Sequence, residues 1–184
     1  MAGIVRLNST KAMLLIIDVQ EAFLEPVKKM KSLVKRCCVL AQAANILALP
    51  IVVTEQYPKG LGHTAESLAA VLGNHTLLEK TSFSCMAEPQ AQEAIMATQK
   101  EQVIIAGVET HVCVLQTALD LLAAGKEVFV VDDAVSSRDS NDRQAALARM
   151  AQAGAVITTA EAVLMELIGG SRHEHFKAIQ NLIK

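Results

Sequence analysis

The sequence predicts an α/β fold, a three-layer doubly wound domain built on a six-stranded parallel sheet. Three observations carry this expectation. Short apolar runs without alternation, such as Ala12 to Ile17 (AMLLII) and Val103 to Ala106, read as strands buried on both faces, as parallel sheets require. Strand-like and helix-like segments alternate over nearly the whole chain, the pattern of strand–helix–strand crossovers. A length of 184 residues suits one domain, 1–184, and 52% hydrophobic content supplies its core. With aromatics at 3% and no Trp, that core must be made of Ala, Leu, Ile and Val.

The first strand, Ala12 to Ile17, ends at Asp18. Lys28 to Leu49 reads as a long helix, with Leu33, Val34, Cys37, Leu40, Ala41 and Ala44 inward and lysines outward, and Pro50 ends it. Ile51 to Thr54 is the second strand. The loop EQYPKGLGHT follows, punctuated by Pro58, Gly60 and Gly62. A short helix over Ala65 to Leu72 leads to a third strand, Thr76 to Leu78, and then to Glu79-Lys80. The loop TSFSCMAE precedes a helix at about Pro89 to Thr98. Val103 to Ala106 is the fourth strand, broken by Gly107. Thr110 is placed to cap a helix running from about His111 to Gly125. Glu127 to Val131 is the fifth strand, followed by the loop DDAVSSRDS and a helix over Asn141 to Gln152. Ala155 to Thr158 is the sixth strand, and helices over Thr159 to Leu167 and Glu174 to Ile183 close the chain.

Composition narrows the function. Seventeen basic and nineteen acidic residues give a net charge of −2 with no long run of either sign, and stacking aromatics are scarce, so no nucleic-acid partner is expected. No apolar segment approaches the ~20 residues of a membrane span. The segment MAGIVRLNSTKAM lacks a signal-peptide h-region, and a cytoplasmic location is expected; Arg6 and Lys11 give weak support to a short basic mitochondrial leader. The cysteines Cys37, Cys38, Cys85 and Cys113 show no CxxC spacing and read as free thiols of a reducing compartment.

The candidate chemical centre is the stretch from Glu101 to Gly125, where a strand stops, the chain turns and a helix begins with Cys113 in its first turn. A thiol at a helix N-terminus tends toward thiolate. A cysteine beside an apolar helix is also a common packing residue. Asp18 is more informative, because a carboxylate after a buried strand needs a partner, a cap or a function. Lys80 alone would be an ordinary surface residue. Ligands of doubly wound sheets sit beyond the C-terminal strand ends. With the strands in the common order 3-2-1-4-5-6, Asp18, Lys80 and Cys113 come to one edge. There Asp18 could take the thiol proton, Lys80 could hold Asp18, and N–H groups at the turn could hold an oxyanion.

The segments LLIIDVQEAF, EKTSFSC and AGVETHVCVLQTALDLLAAGKEVFVVDDAVSSR resemble the isochorismatase-like (cysteine hydrolase) superfamily. The resemblance covers about residues 10 to 168. TEQYPKGLGHT and EKTSFSCM point to its isochorismatase domain-containing branch. The resemblance implies a six-stranded parallel sheet, a triad of Asp18, Lys80 and Cys113, a cis peptide at Val108–Glu109, and an oxyanion hole from the N–H groups of Glu109 and Cys113. It also implies hydrolysis of a small amide-like substrate without a cofactor, and a homo-oligomer of two or more copies. Nicotinamidases of this superfamily carry an Asp-x-His-Pro metal motif with a later His. The segment here is Glu55-Gln56-Tyr57-Pro58 and then His63, so no zinc is expected. Gln20, Phe23, Tyr57 and Phe83 fall on loops at the mouth and are candidate walls of the substrate pocket. His111 lies two residues before Cys113 and reads as a polar-bonded margin residue rather than the general base. Cys85 reads as a buried packing residue and His173 and His175 as exposed or in a subunit contact.

Overall fold

The computed structural model describes residues 5–184; residues 1–4, the start of the segment read for a leader, lie outside the described residues. Six strands form one parallel sheet in the order β3-β2-β1-β4-β5-β6: β1 Ala12–Ile17, β2 Ile51–Gln56, β3 Thr76–Lys80, β4 Gln102–Val108, β5 Glu127–Ser136 and β6 Val156–Thr158. The helices are α1 Met30–Ile46, α2 Pro58–Leu61, α3 Glu66–Ala69, α4 Pro89–Ala97, α5 Leu115–Ala123, α6 Ser140–Gln152, α7 Ala160–Ile168 and α8 Phe176–Leu182.

Both faces of the sheet are covered, which explains the unbroken apolar runs. Along the central strands alternate residues enter opposite layers. Leu14, Ile16, Val53, Ile104, Ala106, Phe129 and Val131 pack with α1, α7 and α8. Met13, Leu15, Ile17, Val52, Ile105, Val128 and Val130 pack with α4, α5 and α6. Among the described residues no helix is long and apolar enough to cross a membrane.

Several elements depart from the sequence reading. Strands β2 and β3 run past their expected ends because their last residues, Glu55-Gln56 and Glu79-Lys80, are polar, and β5 runs on through Asp132-Asp133 to Ser136. Pro58 opens a one-turn helix, α2, inside the expected loop. The expected helix from His111 begins as a turn of π-helix, Thr110–Val114, before α5. Thr110 does not cap it; its hydroxyl is fully buried and, among the described residues, is the buried side-chain polar atom without a hydrogen-bond partner.

Strands β1 and β4 run side by side, with Ile17 opposite Gly107. Gly107 has φ +122, and a Cβ there would collide with the Ile17 carbonyl oxygen and lie 2.6 Å from its nitrogen. This close approach brings the end of β1 to the turn after β4. Positive φ and backbone overlap add, so Gly107→Ala is expected to lose at least about 3 kcal/mol. In thermal denaturation that is a fall in Tm of about 10 °C; a Tm within 2 °C or so of wild type would show that this approach is not needed.

Candidate active site

The site is assembled at the C-terminal edge of the sheet. Asp18 follows β1 directly and takes a left-handed backbone, φ +54, which Asp tolerates better than most residues. Its N–H donates to the Thr54 carbonyl at 3.0 Å, tying it to β2. Lys80 is the last residue of β3, and both side chains are at most 1% exposed. Lys80 Nζ donates to Asp18 Oδ2 at 2.7 Å, Gln56 Oε1 at 2.6 Å, Phe83 O at 3.1 Å and Ser82 O at 3.2 Å. Thr54 Oγ1 donates to the other carboxylate oxygen, Asp18 Oδ1, at 2.8 Å. Cys113, 6% exposed in the π-turn after β4, lies near enough for the charges of Asp18 and Lys80 to act on its thiol. The three residues singled out from three strand ends are thus together.

Electrostatics correct one expectation. Burial and the Asp18 charge raise the Cys113 thiol far above its ordinary value, against the pull of Lys80. The resting group is a thiol, not the thiolate that a helix N-terminus alone would favour. Burial also pushes Asp18 up, while Lys80, Thr54 and Cys113 pull it back. Burial works against the Lys80 ammonium, but Asp18 together with the Cys113 and Cys85 sulfurs outweighs it and the pKa is raised. An ammonium, a carboxylate of raised basicity and a neutral thiol therefore share one buried space, an arrangement suited to proton transfer from sulfur to Asp18.

The turn after β4 is gripped from the loop between β5 and α6. The Val108–Glu109 peptide bond is cis. Glu109 Oε1 accepts from the backbone N–H and from Nε of Arg138, both at 3.0 Å. His111 Nδ1 lies 3.0 Å from Ser137 Oγ, and its Nε2 lies 3.7 Å from Asp142, so the imidazole is engaged at the margin.

The expected pocket walls divide. Tyr57 and Phe83 are 55% and 53% exposed, and both are attached to Lys80 through the backbone: Tyr57 N–H donates to Lys80 O, and Phe83 O accepts from Lys80 Nζ. Tyr57 also lines a small cavity of about 210 Å³ with Lys80 and Glu88. Gln20 offers no exposed wall: it is fully buried, its amide donating to the carbonyls of Gln56 and Gly62. Phe23 is half-buried and packs in part against the core. Cys85 is buried as expected, yet its sulfur lies 3.8 Å from Thr54 Oγ1, and burial next to Asp18 pushes its thiol up to about 11. Glu55 is taken up by the N–H and hydroxyl of Thr64 and by His63 Nδ1 at 3.0 Å. That leaves a single imidazole beside an occupied carboxylate, which does not fit a metal centre, and no group of three His, Cys, Asp or Glu gathers among the described residues. Sequence reasoning missed Thr54, Gln56, Ser137 and Arg138, whose partners are distant in the chain.

Solved structures with this topology place the protein in the class of isochorismatase-like α/β proteins. It is similar to a Caenorhabditis elegans structure described as MAR1 ribonuclease, with a TM-score of 0.93 at 46% identity, covering 97% of this chain and 92% of that one. An Escherichia coli structure described as an octameric hydrolase of unknown specificity, the YcaC gene product, superposes with a TM-score of 0.90 at 29% identity, over 100% and 97% of the two chains. The isochorismatase domain matches residues 12–162, and the chain belongs to the isochorismatase family. Within it, the chain is 44% identical to isochorismatase domain-containing protein 2 of Danio rerio over 184 residues, covering 100% of this chain and 92% of that protein. It spans 59% of the length of isochorismatase domain-containing protein 1 of Salmo salar, at 45% identity over 91% of this chain.

The raised thiol has a direct readout. Alkylation of Cys113 by iodoacetamide is expected to keep rising with pH beyond about 9 without a plateau, because the thiolate fraction grows only there. Asp18→Asn removes the opposing charge while Lys80 stays, so the midpoint should move down. A plateau near pH 7 in the wild-type protein would contradict the thiol state.

Proposed function

We propose that the chain, as one domain over 1–184, is a cysteine-dependent hydrolase of a small amide-like substrate. The buried Lys80–Asp18 pair beside the Cys113 thiol carries this reading. Asp18 takes the thiol proton as Sγ attacks the carbonyl carbon. The N–H groups of Glu109 and Cys113 hold the resulting oxyanion. The tetrahedral adduct collapses, the C–N bond breaks, and Asp18 returns the proton to the leaving nitrogen. Water then attacks the thioester with Asp18 as base, releasing the acid and restoring the thiol. Lys80 fixes Asp18 and offsets its charge when the proton is away. No cofactor takes part in this sequence.

Family membership supports hydrolysis as the reaction class, and the octameric description of the E. coli relative supports a homo-oligomer here. The name of the C. elegans relative makes RNA the competing substrate. The net charge of −2 and the scarcity of aromatics favour a small molecule instead.

The test is turnover of a panel of amides, carbamoyl compounds, esters and an RNA oligonucleotide, with mass spectrometry for acyl-Cys113. Cys113→Ala is expected to lose at least about 10³-fold in kcat, and Lys80→Ala about as much, since members of one catalytic unit fail together. An amide turned over equally by wild type and Cys113→Ala, or cleavage of RNA alone, would overturn the reading.

A further inference from the structure

We infer that Arg138 is a receptor for a carboxylate on the substrate, so that the substrate class is a small acid amide rather than a neutral one. The inference rests on the hydrolase reading above and deepens it.

Arg138 stands on the loop between β5 and α6, and its side chain is 63% exposed. It is nevertheless held from one side: Nε donates to Glu109 Oε1 at 3.0 Å, and its backbone N–H donates to the same oxygen at 3.0 Å. Glu109 is 7% exposed, so the tether is anchored in the packed interior. Among the described residues the Nη groups of Arg138 make no hydrogen bond or ion pair, which leaves the outer edge of the guanidinium facing solvent. That edge presents two parallel N–H donors, the geometry that matches a carboxylate bidentately. The Glu109 charge and hydrogen bond raise the Arg138 pKa, so the group is always cationic.

Position gives this donor pair its meaning. Glu109 supplies an N–H to the proposed oxyanion hole and, through its side chain, holds the guanidinium. With side-chain bonds of about 1.5 Å, the Arg138 Nε is held within about 9 Å of that N–H. A short-chain acid amide spans such a gap with its carbonyl at one end and its carboxylate at the other. Glu109 offsets the Arg138 charge from the Nε side, while the Nη edge stays open as a donor pair. Asp139 is occupied in accepting the N–H groups of Asn141 and Asp142 at the start of α6, and Asp142 lies 3.7 Å from His111. Arg143, on the same loop side, is already spent on Asp132 and the Val135 carbonyl. Arg138 is the guanidinium there with an open edge toward an anion.

The test compares two alkylating agents of nearly equal shape, anionic iodoacetate and neutral iodoacetamide. Each forms a bond from Cys113 Sγ to the methylene carbon and expels iodide, with the thiol proton passing to Asp18 or solvent. The quantity read is the iodoacetate-to-iodoacetamide rate ratio at Cys113, set against the same ratio for glutathione. The expected ratio is at least about tenfold above glutathione in wild type, and it falls by about tenfold in Arg138→Gln. Arg138→Lys should retain part of it, and Glu109→Gln should retain it as long as the guanidinium keeps its place. A merely structural role for Arg138 would move both rates together and leave the ratio alone, and that result would overturn the inference. So would a wild-type ratio equal to that of glutathione.

If Cys113 reacts with neither agent, the nucleophile of the hydrolase reading fails, and the carboxylate receptor is read separately by thermal shift. Succinamate should then raise Tm where succinamide does not, and Arg138→Gln should abolish the difference. Equal shifts from both compounds, or none from either, would overturn the receptor.

Discussion

The buried contact between Lys80 and Asp18 sets the terms for everything around it. Moving two charges out of water costs several kcal/mol per ion, and only complete satisfaction of both offsets that. Here satisfaction is complete. The ammonium finds Asp18, Gln56 and two carbonyls of the loop after β3, and the carboxylate finds Lys80 and Thr54. Because Thr54 and Gln56 both belong to β2, the ends of β1, β2 and β3 are locked by one polar network. An apolar cluster of equal volume would hold the sheet edge at least as well. The presence of ions there, beside a thiol, is the physical reason to look for chemistry.

The other half of the site depends on backbone proximity rather than charge. Gly107 lets β4 lie against Ile17, and this brings the turn bearing Cys113 onto Asp18. The turn is then fixed from outside by consecutive residues of one loop, Ser137 on His111 and Arg138 on Glu109. Nucleophile and base are thus supported by different parts of the sheet, and the loop after β5 joins them. The same loop carries the cation that we assign to substrate recognition, so positioning and selectivity share a short piece of chain.

Much of this was legible in the sequence because a parallel sheet covered on both faces leaves unbroken apolar runs. The number of strands and the sequence of helices followed from that pattern, whereas the expected strand order rested on the arrangement common to such sheets and is the one observed. Strand ends were misjudged where function places polar residues, at Glu55-Gln56 and Glu79-Lys80, since periodicity marks burial and not hydrogen bonding. Asp18 could be singled out because a carboxylate after six apolar residues is costly. Lys80 acquired meaning only from the fold. Thr54, Gln56 and Arg138 carry no local signal: their partners lie 24 to 36 residues away in the chain. The protonation of Cys113 was misread because a helix N-terminus is visible in sequence, whereas burial and a neighbouring carboxylate are not.

The solitary hydroxyl of Thr110 has a consequence for how such a protein can be improved or can drift. A buried hydroxyl without a partner costs about 1–3 kcal/mol, and an isosteric methyl in its place would recover much of it. A laboratory search for heat-resistant variants would therefore find this position early, three residues from Cys113.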